Sequence, residues 1–142
     1  MKARPDLVRG WLRKAGSDEV AMEASLGAGA LDAACFHAQQ AAEKYLKAYL
    51  VHGGVEVPLT HNLVKLVELC TGLDPAFRDL AVTAAPLVPY AVEVRYDDDF
   101  WPTREVAEKA RELSLAVKES VLNRLPQNLL GQAPGPPDHS TT

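Results

Sequence analysis

Residues 36–50 read FHAQQAAEKYLKAYL, and their spacing is that of a helix. With the residues just before them, Leu31, Ala34, Cys35, Ala38, Ala42, Tyr45, Leu46 and Tyr49 fall at steps of three and four, so at about 100° per residue they gather on one face. Ala34, Ala38, Ala41 and Ala42 would let a second helix approach closely, which predicts a central place in a helical bundle. Opposite this face, Gln40, Glu43, Lys44 and Lys47 repeat at the same steps. As a solvated face they would form Gln40–Lys44 and Glu43–Lys47 pairs, each worth about 0.2–0.5 kcal/mol. Phe36 lies among them, on the wrong side for the core, and suits a subunit interface better than open solvent.

Working outward, the helix containing this stretch is expected from about Ala30 to His52, closed by Gly53 and Gly54. Before it, a first helix is expected from Pro5, whose missing N–H suits a first turn, with Leu7, Val8, Trp11, Leu12, Ala15, Met22 and Leu26 on its apolar face. Gly16, Ser17 and Asp18 weaken its middle, where a kink or break is expected, and Gly27 and Gly29 end it. After it, Val55 to Leu59 finds no period-two partner and reads as a connection. Thr60 is the expected N-cap of a helix carrying Leu63, Val64, Leu66, Val67 and Cys70, and Asp74-Pro75 starts a short helix that stops before Pro86. A further short helix runs through Tyr90, Val94 and Arg95 into Asp97-Asp98-Asp99. Thr103 caps the last long helix, with Val106, Ala110, Leu113, Val117 and Val121 on one face until Pro126.

The sum is an all-α, up-and-down helical bundle of three long and two to three short helices over residues 1–125, with a Pro/Gly-rich tail over 126–142 expected to be disordered. At 142 residues, with 47% hydrophobic and 24% charged side chains, one domain with a real core is expected. The formal charge of −4 gives no general attraction to nucleic acid. No apolar run approaches the ~20 residues of a membrane span and no leader-like segment opens the chain, so a cytoplasmic protein is expected. Cys35 and Cys70 stand alone on helices and read as small buried hydrophobes. His37, His52 and His61 lack the spacing of a zinc helix, and no metal site is expected.

Three segments, Gln39-Gln-Ala-Ala-Glu-Lys-Tyr-Leu-Lys-Ala48, Pro58-Leu-Thr-His-Asn-Leu63 and Glu93-Val-Arg-Tyr96, resemble in order and spacing the HEPN domain family. The resemblance implies a small bundle that dimerises and that, in prokaryotes, is commonly paired with a minimal nucleotidyltransferase made as a separate chain. The family name refers to nucleotide binding. Members that act as toxins are metal-independent ribonucleases that use an arginine followed a few residues later by a histidine. Here Arg95 matches the arginine, but Phe100, Trp101 and Pro102 hold the histidine's positions, and none of these rings exchanges a proton near neutral pH.

The function expected from the resemblance is therefore that of a nucleotide-binding, homodimeric partner of a minimal nucleotidyltransferase, with no catalytic residue assigned. Two alternatives stand beside it: a ribonuclease toxin of a toxin–antitoxin pair that uses another base such as His61, with RNA as ligand, and a purely structural subunit. Candidate nucleotide contacts are Arg95, Lys44, Lys47, His61, Tyr96 and Asp97; candidate interface residues are Phe36, Phe100 and Trp101. Arg95 reads either as an ion-pair partner of Asp97, Asp98 or a neighbouring helix or as a fork for phosphate at a dimer seam. Asp97, Asp98 and Asp99 read as a solvated loop in preference to a magnesium site. No cofactor is required by this reading, although a bound nucleotide would carry magnesium.

Overall fold

The computed structural model describes residues 2–130, and every regular element within them is helical. The helices are α1 (Arg4–Ala28), α2 (Leu31–His52), α3 (Leu63–Leu73), α4 (Leu80–Ala84), α5 (Glu93–Tyr96), α6 (Arg104–Leu122) and α7 (Gln127–Leu130), with 3₁₀ turns at Pro75–Phe77 and Ala85–Ala91. The all-α bundle expected from the sequence is present. No described helix is long and apolar enough to cross a membrane.

The stretch that decided the fold class lies at its centre. α2 packs against α1, α3, α5, α6 and the Ala85–Ala91 turn, and between Ala41 and Val51 only Lys44 escapes burial. Leu46 and Leu50 join Val8 and Leu12 of α1, Leu63 and Leu66 of α3, and Val117 and Val121 of α6 in one core. Burying each such side chain contributes about 1.5–3 kcal/mol, so packing fixes α2 more firmly than helix propensity does. Small residues set the closest approach: Ser114 of α6 donates its hydroxyl to the Ala38 carbonyl of α2 at 2.7 Å. The buried stripe of α6 is Ala107, Ala110, Ser114, Val117 and Val121. Val106, expected on that face, sits one residue off it and is exposed, whereas Leu113 is half-buried and packs against the core.

α1 is continuous where a kink was expected at Gly16, Ser17 and Asp18. Asp18 occupies a position of the buried stripe with Val8, Leu12, Ala15 and Met22, and its carboxylate bonds to α2 instead of competing for its own backbone. Along the other edge, α6 runs antiparallel to α1 with Arg104, Arg111 and Lys118 seven residues apart. They meet the Leu26 carbonyl, Glu23 and Glu19 in turn. Arg104 thereby serves a carbonyl in the last turn of α1.

The caps repeat this pattern of near agreement. The side chain of Asn62, not Thr60, accepts from Val64 N and Lys65 N at the start of α3, while the Thr60 hydroxyl accepts from Asn62 N. Asp74 and Thr103 cap as expected. α4 ends before Pro86 as expected, and the Ala85–Ala91 3₁₀ turn, with Pro86 near its start, leads on toward α5. Pro126 does not open a wholly disordered tail: Gln127–Leu130 form α7 and Leu129 is buried. The rest of that expectation, residues 131–142, lies outside the described residues.

Two glycines at the end of α1 give opposite expectations. Gly29 has φ 82°, a left-handed conformation that a Cβ strains, whereas Gly27 is helical and a Cβ there meets nothing within 4 Å. Gly29→Ala should lower the unfolding free energy by about 1 kcal/mol, and Gly27→Ala should raise it by about 0.5–1 kcal/mol. Urea denaturation of both variants checks the pair of signs.

Candidate functional site

The polar stripe of α2 is not a solvated face. Glu43 and Lys47 are only 3% and 6% exposed, and Gln39 beside them is fully buried. Glu43 is met by donors on all sides. Lys47 Nζ donates to Oε2 at 2.9 Å, and Gln39 Nε2 donates to Oε1 at 3.1 Å. His61 Nδ1 lies 2.9 Å from the same Oε1, and since a carboxylate only accepts, that nitrogen carries the proton. Gln39 also donates to the His61 carbonyl at 3.1 Å and accepts from Gln40 Nε2 at 2.7 Å, so every polar group of this buried amide is used.

Burial by itself would raise the Glu43 pKa. The hydrogen bonds from Lys47, Gln39 and His61, with the charge of Lys47, outweigh it and hold the carboxyl below its ordinary value. Lys47 also lies over the Trp11 ring, 5.7 Å from its centroid. Two candidate nucleotide contacts, Lys47 and His61, are thus bound up with Glu43, Lys47 inside the protein and His61 with its ring largely exposed at the end of the α2–α3 link.

A second carboxylate divides the outer edge of α2. Asp18, nearly buried on α1, accepts from Lys44 Nζ with one oxygen and from His37 Nδ1 with the other, the latter at 2.9 Å. Lys44 is therefore neutralised as well. The His37 ring meets Phe36 edge to face, with centroids 5.3 Å apart and planes at 74°. Over the face of the same Phe36 ring lies the guanidinium of Arg95, 4.7 Å from the centroid.

Arg95 forms no ion pair with Asp97, Asp98 or any other carboxylate among the described residues. It extends from the last turn of α5, exposed to solvent, with its plane steadied on an aromatic ring. Tyr96, the next residue, and Trp101 are 78% and 73% exposed. Trp101 is tied back by its indole N–H to the Asp98 carbonyl at 2.9 Å, while Phe100 packs toward the core against Tyr90. Asp97, Asp98 and Asp99 are exposed, with carboxylate oxygens within 4.8 Å of one another, and Asp97 accepts from Asp99 N. Cys35 and Cys70 are free and buried, and burial raises their thiols to about 11 and about 12, with Asp32 adding to the effect at Cys35.

His37, which lacks the spacing of a zinc helix, thus shares the Phe36 ring with Arg95. One signal pointed to it: His37 and Lys44 are seven residues apart on one helix, so a single carboxylate from a neighbouring helix can reach both.

The HEPN domain family model matches residues 8–125 of the chain. Among solved structures, TT1696 from Thermus thermophilus aligns with a TM-score of 0.70 at 31% sequence identity, covering 83% of this chain and 98% of that one. ST0689, an archaeal HEPN homologue, aligns with a TM-score of 0.66 at 25% identity, covering 87% of this chain and 98% of its own. No curated protein matches the chain.

The buried pair makes stability depend on pH in a definite direction. Because the folded pKa of Glu43 is depressed, its contribution is complete above the unfolded value of 4.5 and is lost as pH falls through the folded value. Wild-type unfolding free energy should fall below pH 4.5 with a slope that Glu43→Gln reduces. At neutral pH, Glu43→Gln leaves Lys47 buried without a counter-charge and should cost about 3 kcal/mol, part of which Lys47→Met restores in the double variant. Urea denaturation at stepped pH measures both effects.

Proposed function

This chain belongs to the HEPN domain family, and from that premise we propose that it is a nucleotide-binding, homodimeric partner of a minimal nucleotidyltransferase, with Arg95 as the phosphate contact. The observation that carries this reading is the sorting of charge around α2. Lys44 is satisfied by Asp18 and Lys47 by Glu43, while the Arg95 guanidinium faces solvent with its fork unused and its plane held on Phe36. A guanidinium that is pre-oriented and unpaired can give two parallel hydrogen bonds to one phosphate without first breaking an internal ion pair. Exposed Tyr96 and Trp101, close to Arg95 in sequence, supply aromatic surface suited to a base or to a second subunit.

In this reading Lys44 and Lys47 shape the site at one remove: Lys47 by holding the stripe of α2 in place, Lys44 by holding Asp18. The Asp97–Asp99 run lies directly after Tyr96, where a nucleotide's magnesium would find carboxylates and water. The partner transferase of this reading is the family's usual companion.

Calorimetric titration with ATP and GTP, with and without magnesium, tests the phosphate contact. Arg95→Ala should weaken binding by about tenfold or more, the worth of a charge-assisted bidentate contact, and Lys47→Met should lower stability while leaving affinity near wild type. Sedimentation at working concentration should give a dimer that Trp101→Ala weakens. Wild-type protein that binds neither nucleotide would remove nucleotide binding from the proposal, and a monomer would remove the shared surface.

A further inference from the structure

Phe36 is flanked by two nitrogen groups of different elements, and only one of them belongs to the reading above. Arg95 of α5 covers its face, and the His37 imidazole of α2 meets it at the edge. The orientation of that imidazole is set from the far side. Asp18 of α1 is nearly buried, and its carboxylate fixes His37 Nδ1 at 2.9 Å as a donor while its other oxygen takes Lys44. Nε2 then points away from Asp18. It has no partner among the described residues and is not among the buried polar atoms left unsatisfied, so it is open to water.

A buried carboxylate spent on aiming one histidine edge outward, with an unpaired guanidinium against the same Phe36 ring, is an arrangement for a ligand with two separated anionic groups. A single phosphate held by the Arg95 fork leaves Nε2 unmet. A chain of two or three phosphates can reach from one to the other. We propose that His37, positioned by Asp18, is a second phosphate contact, and that this site takes nucleoside di- and triphosphates in preference to monophosphates. The inference rests on phosphate binding at Arg95 and names the ligand class of that site.

With Nδ1–H already given to Asp18, His37 can meet phosphate only through Nε2. Asp18 from α1 bonds the ring, Lys44 takes the other Asp18 oxygen and Arg95 lies on the neighbouring Phe36 ring, so Asp18 acts as a positioning residue.

The test is calorimetric titration of the full chain with AMP, ADP and ATP, on wild type, His37→Gln, Asp18→Asn and Arg95→Ala, with circular dichroism confirming the fold of each. Wild type should bind ADP and ATP about tenfold more tightly than AMP. His37→Gln should bring ATP to the AMP level and leave AMP affinity unchanged; Asp18→Asn should lie between. Equal wild-type affinities for AMP and ATP, or an ATP affinity that His37→Gln does not move, would overturn this inference while leaving the Arg95 contact standing. Wild-type protein that binds none of the three overturns both.

Discussion

A carboxylate buried at the middle of a central helix must be met by donors, because taking it out of water unpaired costs several kcal/mol. Glu43 is met by Lys47 and Gln39 from its own helix and by His61 from the chain that leads into α3. That set of bonds holds three things at once. It fixes the rotation of α2 about its axis, it anchors the end of the α2–α3 link just before Asn62 caps α3, and it turns Lys47 inward under Trp11. Had the stripe faced water, as its charges suggest in isolation, the same helix would present two lysines to ligands and leave the link unanchored.

With α2 held in that rotation, the next residues along its edge, Phe36, His37 and Lys44, fall between α1 and α5. Asp18 from α1 fixes two of them and Arg95 from α5 covers the third. The cations on this edge thus separate into those already satisfied by a carboxylate and the one that is not. This separation, more than the number of basic residues, is what a phosphate would find, and it explains how a chain of net charge −4 can still present a local anion contact. The chain belongs to the HEPN domain family over residues 8–125.

Much of this architecture was legible in the sequence, because helix boundaries and caps are local chemistry. The period of residues 31–49, Asp74 before Pro75, Thr103 before α6 and Gly29 after α1 each carry their own stereochemical reason. The misreadings share one cause. A stripe of Gln, Glu and Lys looks the same whether it faces water or a loop twenty residues away, so the burial of Glu43 and Lys47 required His61 to be placed in space. Gly16, Ser17 and Asp18 look weak by propensity, yet Asp18 is what α2 bonds to. Thr60 and Asn62 are both good caps, and only the path of the link decides between them. His37 was passed over because its partner, Asp18, lies on a different helix.

In the proposed function an anionic ligand meets the chain at Arg95, which lies on the Phe36 ring that His37 also contacts. A nuclear magnetic resonance titration with ATP tests it most directly, by following the Arg95 side-chain N–H, the Phe36 and His37 ring protons, and the Lys44 and Lys47 ammonium groups in one sample. The account predicts saturable shifts at Arg95, Phe36 and His37, with Lys47 unmoved inside its pair with Glu43. Shifts confined to other surfaces, such as the basic start of α1, or none at all, would contradict it.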